Sequence, residues 1–447
     1  MQTCVEAVRE YLHVPEVCTL FCNAAAACFG AGNDYTAADS FSGDAFTVVL
    51  AAMDAHQGSE SVQAAACAFL GLLVQRGLFS GIDEARCKKA DAMSRVCAAV
   101  DRHRTSAAVQ EGAWSVFLSW PDAWTSRGAD RITLLQRVYA SLECVSASEN
   151  VLAGACDSLR MMCLETSVTD REEGSESMYA LRNQLIATGG LARLLAVMQA
   201  HLASRRIQQT ACNMLECMTV VSDTSASADL AGLGALRDAV VASGALMHVF
   251  AAMQSHPAVP QLQLKACGIL RNVIEAPGSP DNGDAIVSSG GMQCLFAAMA
   301  ANRTCVPVQT LACLLLHELL SRPDAESACA MTLAGLEHIL AALDLSDKAA
   351  TRTLASHALD DLADLVEAAA SVLIELAGNS ANASVLMAGG KTVAALQGAM
   401  RPLQEKRRRI SRISRRPPKS SAQDMGAVAA VSLALTALKP YLDSQFL

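Results

Sequence analysis

The chain has 447 residues, of which 52% are apolar and only 4% aromatic, and its formal net charge is −9. That length and apolar content can bury a long core, while the acidic balance does not suit nucleic acid, which demands cations against its phosphates. No run of 18 or more apolar residues is present, so no transmembrane helix is expected.

The chain opens MQTCVEAVREYLHV, with Glu6, Arg9 and Glu10 where a signal peptide would carry its apolar core. Cytosol or nucleus is therefore the expected location. Residues 1–45 read as a partial, capping repeat, because Val17 and Cys22 match Val62 and Cys67 of the next unit.

From residue 46 to about 400 one pattern recurs. An apolar residue is followed thirteen positions later by an alanine: Met53/Ala66, Val100/Ala113, Leu142/Ala155, Met198/Ala211, Met253/Ala266 and Met299/Ala312. Large apolar residues then follow each alanine at four and seven positions, as in Leu70/Leu73, Leu215/Met218 and Leu316/Leu319. A fixed interval inside repeats of variable length marks stacked helices. Strand-type alternation is missing, so the chain is read as all-α.

Each full repeat has three parts. A short helix ends in small residues and glycine: NQLIATGG (183–190), AVVASGA (239–245), AIVSSGG (285–291) and ASVLMAGG (383–390). Glycine permits the helix end and a sharp corner. An apolar second helix follows, as in LARLLAVM (191–198), LMHVFAAM (246–253) and MQCLFAAM (292–299). A longer third helix begins IQQTAC (207–212), LQLKAC (262–267) or VQTLAC (308–313). His56, His103, His201 and His256 close second helices, and Gln63, Gln110, Gln208 and Gln263 stand seven residues after them. An imidazole there is expected to cap the last carbonyls of its own helix.

The chain has 17 cysteines and no CxxC pair. Cys67, Cys156, Cys212, Cys267 and Cys313 each directly follow the repeat alanine, a small packing position where cysteine acts as a hydrophobe. A reduced core is expected rather than a disulfide framework. Trp114, Trp120 and Trp124 fall in AWSVFLSWPDAW; the first two read as core and Trp124, after Pro121, as a possible partner anchor.

Polar insertions interrupt the array at 166–177 and near 222–235. Between 336 and 380 the register cannot be fixed, and 351–377 is too long for one third helix. Residues 401–424 form a basic insertion before a closing helix at 425–447. Its stretch 401–419 holds nine Lys/Arg against one Glu, leaving the rest of the chain more acidic than the total suggests. Lys406, Arg407, Arg408, Arg409, Arg412, Arg415 and Arg416 could be a plain solvated loop, a localisation signal or a contact for an anionic membrane surface. They could also form a regulatory tail, since Arg408-Arg409-Ile410-Ser411 resembles a basophilic kinase site with Ser411 as its phosphosite.

Short, medium and long helices with glycine after the first resemble the armadillo repeat, most clearly at 181–320. The His-ended second helix and the VQ…AC third helix look most like the armadillo repeats of leucine-rich-repeat kinases and of stand-alone armadillo repeat-containing proteins. The resemblance implies a right-handed α-α superhelix of roughly eight repeats. It also implies a concave groove lined by third helices, where exposed side chains bind a protein partner. Carried onto this chain, the groove positions are Asp157, Arg160, Asn213, Glu216, Arg271, Asn272, His317 and Glu318. Importin-α-like members hold a Trp and, four residues on, an Asn on these helices. The corresponding Trp positions here include Ala68, Ser115 and Gly268, and of the Asn positions only Asn272 matches, which argues against an import receptor.

Enzyme signatures are missing. His317-Glu318-Leu319-Leu320-Ser321 lacks the second histidine of a zincin helix, and GxSxG, GxxxxGK[ST] and GxGxxG do not occur. No catalysis, cofactor or metal is expected. The expected role is a protein-interaction scaffold, and the alternative is a regulator acting through its basic segment on an anionic membrane or an acidic partner.

Overall fold

A computed structural model describes residues 2–31, 38–75, 84–119, 129–144, 148–165, 180–220, 230–275, 281–322, 335–350, 356–377, 391–397 and 429–434, with single residues 332, 382, 386 and 436. Every regular element among them is a helix. Two compact units result, residues 1–229 and 230–447.

In the first unit α1 (Gln2–Glu10) and α2 (Pro15–Ala31) form the partial repeat. Three helix pairs follow: α3 (Ala38–Ala55) with α4 (Glu60–Gln75), α5 (Glu84–Arg102) with α6 (Ala107–Ser119), and α7 (Ala129–Leu142) with α8 (Glu149–Glu165). A three-helix repeat, α9 (Ala180–Ala187), α10 (Gly190–Ala200) and α11 (Arg205–Thr219), completes it. The second unit has α12 (Leu230–Ala242), α13 (Ala245–Ser255) and α14 (Pro260–Ile274), then α15 (Asp281–Ser288), α16 (Gly291–Ala301) and α17 (Val306–Leu320), then α18 (Leu336–Ala350) and α19 (Ser356–Ala377). The insertion near 222–235 is shorter than expected at its far end, because residues 230–235 belong to α12.

Within each unit third helices stack on third helices, α2, α4, α6, α8 and α11 in the first and α14, α17 and α19 in the second. The chain is thus an all-α, armadillo-like helical solenoid in its local packing. The core follows the repeated positions. Ala66, Cys67, Leu70 and Leu73 of α4 are fully buried, as are Ala266, Cys267, Leu270 and Val273 of α14 and Ala312, Cys313 and Leu316 of α17. Trp114 takes the cysteine position in α6, at 1% exposure, its ring tilted 55° to that of Phe117 with centroids 5.1 Å apart. Trp120 and Trp124 lie outside the described residues.

A separate first helix is not present in every repeat. Gly189, Gly244 and Gly290 turn the corner between first and second helices with φ of 76°, 80° and 87°. The positions nine residues before Met53 and Val100 are Asp44 and Asp91, and α3 and α5 run straight through them. A left-handed corner is costly for any residue with a Cβ, so without glycine the two helices stay one.

The histidine–glutamine interval is real, but the two residues exchange the expected roles. Gln63, Gln110, Gln208, Gln263 and Gln309 are each at most 3% exposed. Each carboxamide Nε2 donates to the carbonyl ten residues back and to the carbonyl seven residues back, at 2.7–3.1 Å. The glutamine therefore caps the second helix, whose last carbonyls have no helical partner. At two of these helix ends the ring reaches the preceding repeat instead. His56 Nε2 lies 2.7 Å from the Leu12 carbonyl, and His103 Nε2 lies 2.9 Å from the Gln57 carbonyl. Asn302, at the same position, donates to the Pro257 carbonyl at 2.7 Å.

Two further ladders hold the first unit together. Ser59, Ser106, Ser148 and Ser204 cap third helices, their hydroxyls accepting from the backbone N–H three residues on. Three of them also donate to a carboxylate of the preceding third helix: Ser106 to Glu60, Ser148 to Glu111 and Ser204 to Glu149. Along the second helices Arg95 pairs with Asp54, Arg137 with Asp101 and Arg193 with Glu143. Arg182 and Arg237, seven residues before corner glycines, are 1% and 2% exposed, and Arg182 Nη1 donates to the Val220 carbonyl that ends α11. At the matching place α15 has Gly283, and a Cβ there would lie 2.5 Å from Arg322 Nη1. The guanidinium that α15 lacks is supplied by Arg322, two residues beyond the end of α17.

Candidate functional site: the polar face of the third helices

On a third helix the positions that miss the core recur every three or four residues, and polar side chains there must meet water or a ligand. All eight expected groove residues fall on this face, and all are half-buried. They divide between the two units.

In the first unit Asp157 and Arg160 lie on α8, and Asn213 and Glu216 on the adjoining α11. Arg160 Nε donates to Asp157 Oδ1 at 3.3 Å, one turn apart. The Asn213 Oδ1 atom is buried with no hydrogen-bond partner among the described residues. Near the start of these helices Arg206 donates to Asn150 Oδ1.

In the second unit the residues are joined more tightly. Arg271 Nε of α14 lies 2.8 Å from Glu275 Oε1 and 3.6 Å from Glu318 Oε1 of α17. His317 Nδ1 lies 3.8 Å from Glu375 Oε1 of α19, which also accepts from Ser321 Oγ at 3.3 Å. One guanidinium and one imidazole thus face three carboxylates across three helices. Burial pushes the Glu318 carboxyl above its ordinary range, Glu275 adds to the rise and Arg271 pulls against it.

Glu275 and Glu375 were not among the expected groove residues. Glu275 was legible, since it stands four residues after Arg271 on a helix. Glu375 was not, because the register of 351–377 could not be read. The basic residues Lys406, Arg407, Arg408, Arg409, Arg412, Arg415 and Arg416, with Ser411, lie outside the described residues.

The repeat cysteines are buried and free of disulfides among the described residues. Burial pushes the thiols of Cys67, Cys156, Cys212, Cys267 and Cys313 up to about 12. Among the described residues no three His, Cys, Asp or Glu side chains stand together as a metal site. No single described helix is long and apolar enough to cross a membrane.

No family model matches this chain, and no curated protein does. Solved structures do. An engineered protein from the Northeast Structural Genomics Consortium is similar over 98% of this chain and 99% of its own, with a TM-score of 0.54 and 15% identity. A chain from work on a phosphorylation switch in the interaction between cadherin and beta-catenin aligns over 98% of this chain and 80% of its own, with a TM-score of 0.45 and 15% identity. The first likeness is one of fold alone, and the second is too loose to rest on.

Proposed function

We propose that this chain is a non-enzymatic scaffold that holds a segment of a partner protein along the polar faces of its third helices. The observation that carries this reading is the cluster Arg271, Glu275, His317, Glu318 and Glu375. It spans α14, α17 and α19, with Arg271, His317 and Glu318 half-buried and Glu275 and Glu375 exposed, and brings three carboxylates to one guanidinium and one imidazole. Holding a partly desolvated carboxylate such as Glu318 works against stability, which fits a group kept for contact rather than for folding. The similarity of the repeats to armadillo repeats of leucine-rich-repeat kinases supports a contact module acting in the cytosol or nucleus. The competing reading gives the work to the basic segment 404–420, acting on an anionic membrane or an acidic partner.

Affinity purification with mass spectrometry separates the two. It compares the intact chain, the Arg271→Ala/Asn272→Ala/His317→Ala/Glu318→Ala variant and a deletion of 404–420, with circular dichroism confirming that each folds. The scaffold reading expects partners to be lost from the quadruple variant and kept by the deletion. The reverse pattern, with capture that collapses as salt rises, supports the basic segment.

A further inference from the structure

Arg95, Arg137 and Arg193, on successive second helices of the first unit, are each matched by a carboxylate of the preceding repeat: Asp54, Asp101 and Glu143. Arg104, two residues beyond the end of α5, differs. Its Nε donates to the Asp101 carbonyl at 3.2 Å, and its two terminal nitrogens meet no partner among the described residues. The side chain is exposed and lines a cavity of about 680 Å³ between the C-terminal ends of α5 and α7. That volume is within the range of ligand pockets, roughly 300–1,000 Å³.

The charge in this lining comes from Asp101, Arg104, Arg137 and Glu143. Arg137 Nε and Nη2 hold the two oxygens of Asp101, at 3.0 and 2.7 Å, and Arg193 holds Glu143. One positive charge, that of Arg104, is left over, in a chain whose net charge is −9. The floor is already satisfied. Gln110 spends its amide nitrogen on the Val100 and His103 carbonyls, and its oxygen accepts from Ser141. Selection therefore falls to Arg104, whose planar fork matches a carboxylate. A doubly charged phosphate fits less well, because Asp101, Glu143 and the negative ends of α5 and α7 repel its second charge.

Ile132, Gln136 and Ala140 stand at four-residue spacing on one side of α7. Gln136 and Ala140 line the cavity, and Ile132, 46% exposed, continues that side one turn beyond it. Ile132 to Ala140 is about 12 Å along the helix, the reach of about four extended residues. Apolar surface beside a cation suits a protein segment better than a small free acid. We propose that this cleft docks an extended acidic segment of a partner protein, with an aspartate or glutamate carboxylate on Arg104 and an apolar side chain on Ile132. The site lies between second helices, so it does not depend on the role of the third-helix faces.

The test is saturation-transfer NMR on the full chain at neutral pH and low ionic strength. The probes are the acetylated and amidated tetrapeptide glutamate-glycine-glycine-leucine, its counterpart with glutamine for glutamate, its counterpart with alanine for leucine, and acetate. The glutamate peptide should bind about fivefold better than the glutamine peptide, the upper end of what a solvated ion pair supplies. An acidic chain would otherwise repel it. Arg104→Gln should abolish this preference and keep the preference for leucine over alanine, and Ile132→Ser should do the converse. Both positions are exposed, and circular dichroism checks that each variant folds. Equal binding of the glutamate and glutamine peptides, or a glutamate preference that survives Arg104→Gln, overturns the proposal. A leucine preference untouched by Ile132→Ser, or acetate binding as tightly as the glutamate peptide, overturns the protein segment as occupant.

Discussion

Gln263 shows how much a single side chain does in this array. Its amide nitrogen closes the Met253 and His256 carbonyls, and the residue is fully buried. Gln263→Ala leaves both acceptors without that donor, and should lower unfolding stability by about 2–3 kcal/mol in urea titrations. The interval of seven residues was plain in the sequence, but spacing does not say which atom donates. A histidine at a helix end is a reasonable cap by itself, and only packing reveals that the longer glutamine reaches both carbonyls while the rings of His56 and His103 turn to the neighbouring repeat. The cysteines were easier to read, since one small apolar site recurs in five third helices. Their chemistry gives a pH prediction. The unfolded thiols ionise near their ordinary value of 9, while Cys267 and Cys313 in the folded chain hold their protons up to about 12. Above pH 9 the unfolded state therefore binds fewer protons, and stability falls as pH rises through that window. Urea midpoints measured at neutral pH and at about pH 10 should show this loss, and Cys267→Ala/Cys313→Ala should lessen it.

At the scale of the element, corners and ladders decide how helices join. Gly244 has φ of 80° and open space where a Cβ would go. Gly244→Ala should then cost only the conformational term, about 1–2 kcal/mol, with no clash to add. A loss well beyond that in thermal melts would mean that the corner does more than turn. The corner-glycine signal located the three-helix repeats at Gly189, Gly244 and Gly290, the corner expected within 383–390 lies outside the described residues, and the lack of such a glycine nine residues before Met53 and Val100 is what fuses first and second helices into α3 and α5. The charge ladder was not legible. Asp101 and Arg137 are 36 residues apart, while the next rung joins Glu143 to Arg193, 50 apart, so no fixed interval advertises the pairing. These pairs are partly solvated, and Arg137→Met should cost less than about 1 kcal/mol, a difference that shrinks in added salt.

At the scale of the whole molecule, the chain is acidic, and among the described residues Glu275, Glu318 and Glu375 meet Arg271 and His317 on the third helices of the second unit. That the eight residues expected in the groove lie off the core was legible, because a third helix with a fixed core register also fixes the face left over. The network they enter was not, since Glu375 comes from the segment whose register the pattern lost. Glu318 links this network to energetics. Its folded carboxyl takes up a proton more readily than the unfolded one, so stability falls as pH rises above the ordinary value near 4.5. At neutral pH Glu318→Gln should therefore keep or raise the melting temperature while weakening partner binding. The central claim, that partners lie along the third helices, is tested most directly by photo-crosslinking. A benzophenone side chain would replace Asn272, or Arg409 in a parallel sample, and the crosslinked partner peptides would be sequenced. The account predicts one partner segment crosslinked from position 272 and little from 409. Crosslinks from position 409 alone would contradict it and give the basic segment the role assigned here to the third helices.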